Sequence, residues 1–229
     1  MEGKRFLAEG IGTFILVFVG CMAIIVNESY AGALGHVGVS MVFGLVVMAL
    51  IYAVGNISGA HFNPAVTFGF LFVGRMARKA APAYIACQFI GAIAAGALLR
   101  LFFPESATLG ATLPNVDIGR AFCFEVAFSF LLMFVILNVS TGHMEKGIMA
   151  GVAVGGTIAV AAMVGGPLTG ASMNPARSLA PALFSANYSS LWIYMIAPVL
   201  GACLARPACR LTQEFGCCIP EGDSGNSQT

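Results

Sequence analysis

Two identical tripeptides, Asn63-Pro64-Ala65 and Asn174-Pro175-Ala176, stand 111 positions apart in a chain of 229 residues. Asparagine is a strong helix N-cap and proline is tolerated at the first helical position, so each tripeptide opens a helix. At such a start the Asn side-chain oxygen accepts from a free backbone N–H, which leaves its amide NH₂ to donate elsewhere. Each N-terminus also carries about half an elementary positive charge. Two such starts facing one lumen would hold a solute oxygen from two directions, repel cations and interrupt a proton-relaying file of water. Nothing in the chain has the pattern of a nucleophile with its base, a metal cluster or a nucleotide loop. We expect no catalytic residues, no metal and no cofactor.

Arg177 follows the second tripeptide directly. An arginine at that depth is expensive unless it faces a wet cavity, and no acidic residue stands near it in sequence to make an ion pair. Glu9 and Glu125 are also carboxylates within apolar stretches, a placement that raises the question of proton relay. Their matched positions in the two halves argue for a shared supporting role instead. His61 adjoins the first tripeptide, where it either packs the loop or lines a passage; His36 and His143 fall in or near loops and read as solvated.

These residues need a scaffold, and the composition says which. The chain is 59% hydrophobic and 9% charged, against about 25% charged in a soluble domain. It is an integral membrane protein. Eleven basic and ten acidic residues leave a formal charge of +1, so no basic field for nucleic acid exists. Six stretches are long and apolar enough to span: 6–26, 37–54, 82–103, 121–139, 148–165 and 191–211. Residues 63–73 and 174–184 are apolar but half that length, which fits re-entrant segments lining a cavity. The first apolar stretch reads as a retained span, because no cleavage pattern follows it.

With six alternating spans, Lys4, Arg5, Arg75, Arg78, Lys79, Lys146, Arg206 and Arg210 share one side, leaving Arg100, Arg120 and Arg177 opposite. Basic residues mark the cytoplasmic face, so both termini are expected there. The seven cysteines show neither metal spacing nor a disulfide framework. Residues 212–229, polar and Gly/Ser-rich, read as a disordered cytoplasmic tail. Gly91, Gly96, Gly151, Gly155 and Gly156 read as sites of close helix approach, and Gln88 and Asn138 as polar glue between helices.

The halves correspond beyond the tripeptides. Glu9 opens the first span and Glu125 lies early in the fourth; Ser58-Gly59-Ala60 precedes the first tripeptide as Thr169-Gly170-Ala171 precedes the second. Three spans per half is an odd number, so the second copy enters from the opposite face, and sites in such inverted repeats lie at the interface of broken helices. We expect one domain over 1–211, with halves of about 6–104 and 118–211.

On these residues, and on Ser58 to Thr67 and Asn174 to Ser178 in particular, the chain resembles the aquaporin, or major intrinsic protein, family over roughly 6–211. Phe43 to Met48 and Gly166 to Met173 look most like its nodulin-26-like branch. The resemblance implies an all-α membrane fold, six transmembrane helices plus two re-entrant half-helices, with one pore per subunit and four subunits in lipid. It implies a passive channel for water and small uncharged solutes in the cell membrane. It also puts an outer selectivity constriction at Phe43, Ala162, Ala171 and Arg177, and gives Glu9 and Glu125 the task of accepting hydrogen bonds from the loops. Water-selective relatives usually carry His where Ala162 stands, and glycerol facilitators commonly carry Asp where Ser178 stands; this chain departs from both. A wider, partly apolar opening follows, suited to glycerol or to metalloid hydroxides such as boric and arsenous acid. The competing class is a secondary transporter, which would need an ion-binding carboxylate in the pathway. A membrane enzyme or a closed junction protein fits the residues less well.

Overall fold

The computed structural model describes residues 2–140 and 148–212. Within them lie eight helices and no strand: α1 Glu2–Ser29, α2 Gly35–Ser58, α3 Pro64–Val73, α4 Ala81–Phe102, α5 Ile118–Val139, α6 Ala150–Thr169, α7 Pro175–Ser185 and α8 Leu191–Thr212. Six are long and apolar enough to cross a membrane. The other two, α3 and α7, have 10 and 11 residues, about 15 Å of helix and half a hydrocarbon core.

Several helices outrun the apolar stretches that announce them. α2 and α6 each continue past the last apolar run until a glycine stops them, Gly59 at φ 86° and Gly170 at φ 82°. A left-handed residue of this kind ends a helix wherever it stands, irrespective of hydropathy.

The packing repeats the inversion. α1 lies along α4 and α2; α5 lies along α8 and α6; α2 and α6 pack on each other. Each half-helix leans on a long helix of the other half, α3 on α8 and α7 on α4, so the halves interlock. Helices in lipid associate by van der Waals contact, which favours small residues at the seams. A Cβ on Gly91 of α4 would collide with the Gly10 carbonyl of α1, and one on Gly201 of α8 with the Val126 carbonyl of α5. Gly44 and Gly155 close the α2–α6 seam in the same way, while Gly151 makes room for Tyr52 and Gly96 for Phe184. Gly156 departs from the expectation, since among the described residues no other helix comes within 4 Å of where its Cβ would be.

Among the described cysteines, Cys21, Cys87, Cys123 and Cys203 are free thiols. Cys209 is disulfide-bonded, which the spacing did not announce. His143, Lys146, Cys217, Cys218 and the tail beyond 212 lie outside the described residues.

Candidate conduction pathway

The two loops that enter the half-helices share one backbone shape. After Gly59, Ala60 and Phe62 take φ 52° and 49°; after Gly170, Ala171 and Met173 take φ 42° and 52°. A side-chain-bearing residue held there costs about 1–3 kcal/mol and persists only where its surroundings over-determine it. The fully buried carboxylates do so. Glu9 Oε1 accepts from the Ser58 hydroxyl (2.7 Å) and the His61 N–H (2.9 Å), and its Oε2 from the Phe62 N–H (2.8 Å) and Gln88 Nε2 (2.7 Å). Glu125 Oε1 accepts from the Thr169 hydroxyl (2.7 Å) and the Ser172 N–H (2.9 Å), and its Oε2 from the Met173 N–H (2.9 Å). Tyr84 and Tyr194 complete the match by donating to the Ser58 and Thr169 carbonyls.

With N–H groups turned toward the carboxylates, the carbonyls of Gly59, Ala60, His61, Gly170, Ala171 and Ser172 receive no donor among the described residues. All of these residues but Gly59 line the central cavity. Neither glutamate lines the central cavity, so no carboxylate of this pair is placed to carry a proton along it.

Both asparagines cap as expected. Asn63 Oδ1 accepts from the Ala65 N–H at 2.8 Å, and Asn174 Oδ1 from the Ala176 and Arg177 N–H groups at 3.0 and 3.3 Å. Pro64 and Pro175 take the first helical positions. The amide groups are more committed than the caps suggest: Asn63 Nδ2 donates to the Met173 carbonyl at 2.7 Å, and Asn174 Nδ2 to the Phe62 carbonyl at 3.0 Å. Each NH₂ has two hydrogens, so one ties the loops together and one remains for the lumen.

Toward the end of the passage that Glu28, His36 and Asn115 line, Arg177 is 3% exposed. Its Nη1 donates to the Gly110 carbonyl at 2.9 Å, and its guanidinium lies 5.2 Å from the centre of the Phe43 ring. Among the described residues the sole ion pair is Arg120–Asp117, on the surface, so Arg177 is held by a carbonyl and a ring face and not by an acidic partner. The connection that supplies Gly110 dips inward through two left-handed residues, Leu109 and Gly110. Its Thr112 hydroxyl donates to Ser178 Oγ at 2.8 Å, which in turn lies 2.5 Å from Ser172 Oγ. Phe43 is seated by Gly20 of α1, where any Cβ would overlap the ring.

One cavity of about 400 Å³ joins these groups. It runs from Glu28, His36 and Asn115, past Phe43, Ala162, Ala171 and Arg177, between Asn63 and Asn174, to His61, Ile136 and Val154. Its lining combines the polar Asn63, Asn174 and Arg177 and the two loops with the apolar Leu16, Phe43, Val47, Leu132, Ile136 and Ile158. His61 both packs and lines: its ring stacks on Phe70 at 4.6 Å, and its Nδ1 bonds Thr67 Oγ1 at 3.1 Å.

The caps at the far ends of the two half-helices escape the sequence reading. Arg100 donates through Nη2 to the Phe184 carbonyl at 2.6 Å, and Arg206 through Nη1 to the Phe72 carbonyl at 3.0 Å. Each therefore caps the negative end of one half-helix, although the sequence offered them only as topogenic charges. Their partners lie 84 and 134 residues away, beyond any local pattern. Gln88, expected as interhelical glue, joins α4 to Glu9 and also to Thr67 of α3 at 3.0 Å, while Asn138 Nδ2 donates back to Phe134 of its own helix. His36 is exposed, as expected, at the start of α2, and its Nε2–H donates to the Met163 carbonyl at 2.7 Å.

Comparison with known proteins agrees with this architecture. The "Major intrinsic protein" family model matches residues 2–207. Nodulin-26 of Glycine max is 45% identical over 200 residues, covering 87% of this chain and 74% of its own. Aquaporin NIP1-1 of Zea mays is 46% identical over 200 residues, covering 87% and 71%. The X-ray structure of the aquaglyceroporin from Plasmodium falciparum superposes with a TM-score of 0.78 at 22% identity, over 92% of this chain and 95% of that one. A pathway between two Asn-capped half-helices, on a multi-pass all-α scaffold with this similarity, makes the chain a member of the major intrinsic protein family, a channel for water and small neutral solutes and not an enzyme.

Proposed function

We propose that this channel passes water together with small uncharged polyols and hydroxides, glycerol, boric acid and arsenous acid among them, and excludes protons and ions. The solute range rests on one observation: Ala162 and Ala171 share the outer lining with Phe43 and Arg177. Two alanines supply neither bulk nor a hydrogen-bonding group at that level. A polyol can turn its hydroxyls to Arg177 and the loop carbonyls and its carbons to Phe43 and the alanines. Exclusion of charge rests on Asn63 and Asn174, with the positive ends of α3 and α7 behind them. Glu9 and Glu125 hold the loops in register, Pro64-Ala65 and Pro175-Ala176 start the half-helices, and His61 lines the inner vestibule.

Residues 1–211 act as one channel-forming domain, its halves about 6–104 and 118–211. The chain sits in the cell membrane with both termini cytoplasmic, a reading supported by the bias of its basic residues. It assembles as a homotetramer with one pore per subunit. Large apolar side chains on the outer surface, such as Leu7, Ile90 and Leu101, suit lipid or subunit contacts.

Stopped-flow uptake of water, glycerol, urea and boric acid by proteoliposomes tests the solute range. Ala162→His should narrow selectivity toward water, and unchanged glycerol flux in that variant would reject the constriction assigned here.

A further inference from the structure

The α2–α6 seam runs past the constriction, with Phe43 on one helix and Ala162 on the other. Gly44 and Gly155 meet backbone to backbone at its middle. Eight residues outward on each antiparallel helix, about 12 Å along the axis, stand His36 and Met163. α6 contains Pro167, which has no N–H, so the Met163 carbonyl four residues earlier loses its helical donor. His36 Nε2–H supplies one at 2.7 Å. Gly166 lets the ring come down on α6, because a Cβ there would sit 2.6 Å from His36 Cε1.

The inner end repeats the device. The Tyr52 hydroxyl donates to the Ile148 carbonyl at 2.7 Å, with its ring over Gly151, three residues beyond that carbonyl as Gly166 is beyond Met163. The seam is thus stapled twice by rings from α2, and the outer staple lies one residue from Ala162.

We propose that His36 is a positioning residue for selectivity: by donating to the carbonyl that Pro167 leaves open, it holds the outer ends of α2 and α6 at the separation that sets the gap between Phe43 and Ala162. The inference rests on the constriction proposed above. His36 lines the outer part of the pathway, yet its effect comes through the helix spacing and not through contact with the narrowest point.

Water and glycerol permeabilities of proteoliposomes carrying the full chain test it. His36→Ala should raise the glycerol-to-water ratio by about two- to tenfold, the range one intramolecular hydrogen bond commands. His36→Gln, whose amide nitrogen reaches as far as Nε2, should recover most of that shift. Pro167→Ala restores an N–H to the helix, so on that background His36→Ala should move the ratio less than half as far. An unchanged ratio in His36→Ala, no recovery with Gln, or equal shifts on both backgrounds overturns the proposal. Ala162→His in the same vesicles separates the two readings. If it narrows selectivity while His36→Ala is silent, the staple alone falls; if it is silent, the constriction falls and takes the role of His36 with it.

Discussion

The first half of the molecule and the second build the same loop and then use it differently. Gly59, Ala60 and Phe62 match Gly170, Ala171 and Met173 in backbone sign, and a buried glutamate, a hydroxyl and a tyrosine brace each loop in the same order. The divergence begins one residue past the tripeptides, where Val66 in the first half lines the cavity and Arg177 in the second does so. In the first half the spare bonding is turned inward, through Gln88 to Glu9 and Thr67 and through His61 onto Phe70. In the second it is turned outward, through Arg177 to Gly110 and Ser178 to Thr112. Symmetry supplies the scaffold; the departures from it put an arginine against the cavity at one end only, where we propose the filter.

The scaffold should be hit hardest, and unequally. Glu9→Ala strands four donors and Glu125→Ala three, and each buried group left unpaired costs about 1–3 kcal/mol. Both variants should lose several kcal/mol, Glu9→Ala the more. Thermal unfolding in detergent measures the order, and a less stable Glu125→Ala would show that the two braces are not equivalent in kind.

Arg177→Val gives the second half the residue of the first. A hydrogen bond from a charged group is worth about 1.5–3 kcal/mol, or roughly tenfold and more in a barrier. Glycerol flux should rise relative to water by that order, and proton exclusion should weaken. A pH-sensitive dye inside the vesicles reports the second effect; tight vesicles with unchanged glycerol flux would move the filter away from Arg177.

Gly20→Ala acts on the same filter through Phe43. The new methyl displaces the ring from its seat on α1 toward the lumen, so glycerol should fall several-fold with a smaller loss of water, a strain of about 1–3 kcal/mol at a packed site. Equal losses of both solutes would mean the ring moves elsewhere.

How much of this was legible follows the range of the signal. The half-helices were readable because Asn63-Pro64 and Asn174-Pro175 carry their cap and first turn in adjacent letters, and α3 and α7 begin where those letters say. Helix ends at Gly59 and Gly170 were less so, because hydropathy fades before the left-handed glycine arrives. Arg100 and Arg206 as caps, Gly20 as the seat of Phe43, and His36 as a donor were not readable at all. Their partners lie on other helices, and a lone arginine, glycine or histidine reads the same whether or not such a partner exists. Gly110 and Thr112 were hidden for the further reason that a connection between spans gives no sign of folding inward.

The smallest effects divide the halves most cleanly. Gln88→Leu removes one of four bonds to Glu9 and the bond to Thr67, together with Gln88 Oε1, a buried oxygen with no partner among the described residues, so loss and relief largely offset and stability should fall by about 1 kcal/mol. Its bonds run away from the filter, and the glycerol-to-water ratio should not move. Thr112→Val removes one buried hydroxyl of similar worth, but that hydroxyl anchors the outer connection to Ser178, the neighbour of Arg177. With Ser178 released on that side, the Gly110 carbonyl is held less firmly against Arg177, and the ratio should shift by about twofold with little change in unfolding temperature. If Gln88→Leu moved selectivity and Thr112→Val moved only stability, the division between a bracing half and a filtering half would be reversed.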